Sequence, residues 1–66
     1  MLLSEVVKKI ESLKENKIIK INGENVKPEI KEIHLINGHF WVEFELLNEE
    51  TKLFKIKNII TISSGD

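Results

Sequence analysis

Two histidines, His34 and His39, flank an Asn37-Gly38 pair, so a reversal there brings the two imidazoles toward each other across a hairpin. As metal ligands they need two further groups, and only Glu32 or Asn37 stands nearby in the sequence. They read as surface histidines at a turn, and neither a metal nor a cofactor is expected. Glu43 and Glu45 lie two apart on one run, so they share a strand face, as paired carboxylates in acid–base catalysis can. Lys55 and Lys57 match that spacing further on, and cross-strand ion pairs are the expected use of all four. The serines at 4, 12, 63 and 64 have no evident base beside them, and the three glycines are scattered, so no phosphate loop exists. No catalytic residue is assigned, and the chain is not expected to be an enzyme.

Trp41 is the residue that calls for a partner. Alternation sends Phe40 and Val42 inward, which leaves Trp41 outward with His39. Three covers are open to it: another protein chain, the chain's own helix, or a stacked ligand. Beside His39, Lys55 and Lys57, the ring could stack a base while the cations hold its phosphate. With no arginine in the chain, bidentate phosphate recognition is unavailable, so such binding would be weak and salt-sensitive. Trp41, His39, Lys55 and Lys57 are therefore the candidate contact residues.

The elements that must position these groups fit in one small domain of 66 residues, residues 1–66. A chain of this length buries only about 60% of its unfolded surface, and without cysteine no disulfide or thiolate site supports it. A net charge of −1 excludes an electrostatic coat for DNA. No long apolar run or charged-then-apolar leader is present, so no membrane contact and a cytoplasmic location are expected. Leu3, Val6, Val7, Ile10 and Leu13 form a stripe of helical period, which predicts a helix over about residues 3–15, capped by Ser4 and stopped by a left-handed Asn16.

From Lys17 the period falls to two. Asn22-Gly23 predicts a tight hairpin pairing Ile21 with Glu24 and Ile19 with Val26. Asn37-Gly38 predicts another, with Ile36 opposite His39, Leu35 opposite Phe40 and Ile33 opposite Val42, the apolar members on the buried face. Between the two turns the apolar phase slips from even to odd positions, which calls for a bulge near Lys31-Glu32. A three-residue loop of Asn48, Glu49 and Glu50 would set Phe44 opposite Phe54, Val42 opposite Ile56 and Trp41 opposite Lys57. The strands are expected at about 17–21, 24–36, 39–47, 51–58 and 59–62, before a frayed polar tail over 63–66. The fold class is α+β, mainly β: an N-terminal helix, then a four- to five-stranded, bent antiparallel sheet forming a small barrel.

Two family resemblances accompany that reading. The run NGENVKPEIKEI from Asn22 to Ile33 is similar to the first part of the Sm-like motif, differing at Pro28. The segment from Pro28 to Ile62, with Phe40-Trp41-Val42 and FKIKNIITI, resembles the core of a WYL domain, itself a related Sm-like barrel. These resemblances imply a non-catalytic small β-barrel that self-associates and binds RNA or single-stranded DNA in a regulatory role. The alternative is a protein–protein adaptor or assembly subunit with no nucleic-acid binding. The expected partners are accordingly a second copy in a homo-oligomer, RNA or single-stranded DNA, or another protein.

Overall fold

The computed structural model describes all 66 residues. The order of elements is α1 (Leu3–Ser12), β1 (Ile19–Ile21), β2 (Glu24–Ile36), β3 (His39–Leu46), β4 (Thr51–Lys55), a single 3-10 turn (Ile56–Asn58) and β5 (Ile62–Ser64). One antiparallel sheet runs β4-β3-β2-β1-β5. β4 and β5 are its free edges, so the sheet is open and the expected barrel closure is not made.

α1 begins at Leu3, where the sequence predicts, but ends at Ser12, short of the expected residue 15. Leu2, not Ser4, precedes its first turn, and the Glu5 carboxylate reaches back to accept the Leu2 N–H at 2.7 Å. At the other end the Ser12 hydroxyl donates to the Lys9 carbonyl at 2.7 Å, and Leu13 N–H bonds three residues back to Ile10. Such back-bonding competes with continuation of the helix. Asn16 does not adopt the left-handed conformation expected of it; its side-chain amide instead donates to the Leu13 carbonyl at 3.1 Å.

Both Asn-Gly turns form as expected, with Asn22, Gly23, Asn37 and Gly38 all at positive φ, and every predicted pair of the first two hairpins is made. β2 bends at two irregularities rather than one, between Val26 and Ile30 and between Ile30 and Glu32. The third hairpin differs. Its loop has the expected three residues but begins one earlier: Leu46 donates to the Glu50 carbonyl at 2.7 Å, and Glu49 takes the left-handed position at φ 71°. Asn48 fixes this turn by accepting the Glu50 N–H on its side-chain oxygen at 3.1 Å. The register therefore shifts by two, placing Val42 opposite Phe54, Glu43 opposite Leu53 and Trp41 opposite Lys55. A shift of two keeps every side chain on its expected face. Phe44 and Phe54 now meet diagonally, edge to face, with centroids 5.9 Å apart.

The residues expected to fray are instead tied down. Ile62, Ser63 and Ser64 pair with Ile21, Lys20 and Ile19, Gly65 N–H donates to the Ile18 carbonyl at 2.9 Å, and the Asp66 carboxylate accepts the N–H groups of Lys17 and Ile18 at 2.9 and 3.2 Å. Ile59 enters the core, whereas its neighbour Ile60 is exposed. Asn22 locks this segment to the first turn, its side-chain oxygen accepting from Ile60 and Thr61 at 2.8 and 3.2 Å. The core is wholly apolar: Val6 and Ile10 of α1 pack on Ile19, Ile21, Val26, Val42, Phe44, Phe54, Ile56, Ile59 and Ile62.

Candidate functional site

The β2–β3 hairpin is longer than the core beneath it, and this mismatch defines both of its faces. On the inner face Val42 and Phe44 are fully buried, but Ile33, Leu35 and Phe40, on the same side nearer the turn, remain 46, 65 and 43% exposed. The sequence places Leu35 and Phe40 on the buried face; the face is right, but nothing covers it there. α1 ends too early to reach, and Val7, expected in the docked helical face, is also exposed. Between α1 and the bend of β2 an open groove of about 660 Å³, lined by Val7, Ile10, Pro28, Ile30 and Ile33 among others, leads onto this row.

The outer face is charged. Trp41 is half-buried between His34 and Lys55, its direct partners on β2 and β4, and the Lys55 ammonium lies 5.8 Å from the ring centroid, within cation–π range. His39 shares the face of Trp41 but stands exposed at the hairpin end, opposite Ile36. Lys57 is in the 3-10 turn and does not face Trp41, a correction that follows from the two-residue shift of β4. Of the four candidate residues, the sheet thus sets Trp41 and Lys55 side by side, His39 further along, and Lys57 apart.

The acids find partners other than those expected. The Glu45 carboxylate bonds Lys27 at 2.6 Å with Lys31 at 3.7 Å, both from β2, rather than Lys55 or Lys57. The Lys27 hydrogen bond holds the Glu45 carboxyl below its ordinary 4.5, and the same bond holds the Lys27 ammonium above 10.5. Glu43 turns to His34, whose Nε2 is 2.9 Å from it and 3.4 Å from Glu32. His34 is therefore grouped with Glu32 and Glu43 rather than with His39. Sequence reasoning missed this trio, although its signal was present: pairing Ile33 with Val42 already sets Glu32 opposite Glu43. The uncovered apolar row had no such signal, because alternation names a face without saying how far the opposing layer extends.

Compared with known proteins, this chain matches no protein-family model, no curated protein and no solved structure.

Proposed function

We propose that the chain is a non-catalytic binding module, a half-open small barrel of Sm-like type, that self-associates through the apolar end of its β2–β3 hairpin. The observation that carries this is the row Ile33, Leu35 and Phe40, which continues the core face beyond the reach of α1. The two bends of β2 and the order of one helix and five strands support the barrel reading. A second copy suits the surface: it is apolar, and a net charge of −1 gives two copies little mutual repulsion. The uncovered fractions amount to about one and a half large side chains, or roughly 2–5 kcal/mol per protomer when covered. A stable interface needs about 800 Å² per partner, nearly a fifth of the 4405 Å² of surface here. Association costs several kcal/mol in lost freedom, so the dimer should bind no tighter than about micromolar.

The nucleic-acid reading comes second. Trp41 with Lys55 provides one stacking platform, but Glu32, Glu43 and Glu45 share that face and repel phosphate. A protein adaptor without nucleic-acid binding fits the same apolar row.

Sedimentation from about ten micromolar to about a millimolar tests self-association. The parent should show a rising mass, and the double substitution Leu35→Ser with Phe40→Ser should remain monomeric with an unchanged circular-dichroism spectrum. A parent that stays monomeric throughout sinks the proposal. A salt-sensitive shift of labelled single-stranded RNA or DNA that is lost in Trp41→Ala would move the function to the outer face.

A further inference from the structure

Glu32 and Glu43 are direct cross-strand partners, an arrangement in which like charges repel. The lysines that form ion pairs are engaged elsewhere: Lys14 with Glu11, Lys27 and Lys31 with Glu45, and Lys52 with Glu24. Only His34 reaches both acids, at 3.4 and 2.9 Å, and one donor atom from each of the three lies within 4.8 Å of the others. A tetrahedral ion with bonds of about 2.0–2.1 Å holds its ligands about 3.3 Å apart, between the two distances to His34. The register from Glu32 to Ile36 is unbroken, so the three side chains rise from regular ladder positions. The irregularity just before Glu32 sets the phase that turns Glu32 and His34 to the outer face.

We propose that Glu32, His34 and Glu43 bind a divalent first-row transition-metal ion such as Zn²⁺, with the fourth position open to water. One imidazole and two carboxylates make a mixed nitrogen–oxygen set. The imidazole favours zinc, copper or nickel over magnesium and calcium, which prefer oxygen alone. His34 and Glu43 are the better-buried members, with side chains 32 and 23% exposed, and form the anchor; Glu32, at 69%, closes on the ion from the solvent side. The site lies on the opposite face of the hairpin from the apolar row, so it stands independently of self-association.

Trp41 provides the readout. It is the only tryptophan, the chain has no tyrosine, and its ring stands directly opposite His34. Cu²⁺ titrated into the intact protein should quench Trp41 emission saturably, and Zn²⁺ present beforehand at saturating concentration should shift that titration to higher Cu²⁺, since Cu²⁺ is the tighter binder of the two. His34→Gln and Glu43→Gln should each weaken binding by at least the roughly 10–100-fold typical of losing even an outer-sphere partner. His39→Gln should leave it unchanged. Quenching that fails to saturate, is unshifted by saturating Zn²⁺, survives His34→Gln or disappears in His39→Gln overturns the assignment. If a variant loses its fold, amide shifts of the parent on adding Zn²⁺ decide the matter: they must centre on Glu32, His34 and Glu43, and a centre elsewhere refutes the site.

Discussion

Replacing Asp66 with alanine removes two hydrogen bonds that tie the end of the chain to the approach to β1. The carboxylate accepts the N–H groups of Lys17 and Ile18 at 2.9 and 3.2 Å, and both bonds are exposed. A hydrogen bond to a charged group contributes about 1.5–3 kcal/mol in sheltered surroundings, and solvent reduces this, so the pair together should be worth about 1–2 kcal/mol. A domain of this size loses about 4–8 °C of melting temperature per kcal/mol, so Asp66→Ala should melt about 4–16 °C lower by circular dichroism. Asp66→Asn, which keeps one acceptor without charge, should fall between. Amide exchange should quicken at Lys17 and Ile18 first. Gly65→Ala tests the same tie by crowding: its Cβ would lie 2.8 Å from Ile18 Cγ2 and 3.1 Å from the Ile18 carbonyl oxygen, and backbone cannot swing aside. If Asp66→Ala melts within about one degree of the parent and Lys17 exchanges no faster, the end of the chain is not held as described.

Ile10→Asp should abolish cooperative thermal unfolding, because Ile10 is 5% exposed against a core that has no polar group to pair a carboxylate; a variant that still melts near the parent would show that α1 is not docked. The Lys27–Glu45 pair should make stability depend on pH in a defined window. Glu45 has a folded value below 4.5, so its contribution is present above that pH and is lost as the pH falls through the folded value; Lys27, raised above 10.5, contributes below that pH and loses it as the pH rises further. Glu45→Gln should flatten the acid limb of melting temperature against pH, and an unchanged acid limb would count against the pair.

Legibility in the sequence divided along physical lines. The Asn-Gly turns could be read because few residues tolerate positive φ at two successive positions, and each turn then fixed its hairpin register. The bends of β2 were visible as a change of parity, though parity registers an odd slip and is blind to an even one; the irregularity between Val26 and Ile30 preserves it and passed unseen. The same blindness let β4 slide by two, and the left-handed position in its loop fell on Glu49, a residue without the usual preference. Ser63 to Asp66 carry no apolar pattern, and they are held by backbone bonds, the Asp66 carboxylate and the Ser64 hydroxyl donating to Asn16, none of which periodicity reports. At the candidate site, the proximity of Trp41 to a lysine was legible as a shared face, while which lysine depended on that loop.

The pairing of β1 with β5 differs in kind from the rest of the sheet. β1–β2, β2–β3 and β3–β4 are hairpins whose partners are joined by short turns, whereas β1 meets β5 only after about forty intervening residues, through three residue pairs. Closing that long loop costs more entropy than closing a turn, so this seam should form last during folding and open first on warming. While it is open, Ile19, Ile21 and Ile62 lose their cover and β1 presents a bare edge. At high concentration the β5 segment of one molecule can then add to β1 of another, making the same bonds between chains that it makes within one. The refolding yield of monomer should therefore fall as concentration rises, with strand-exchanged dimers as the competing product.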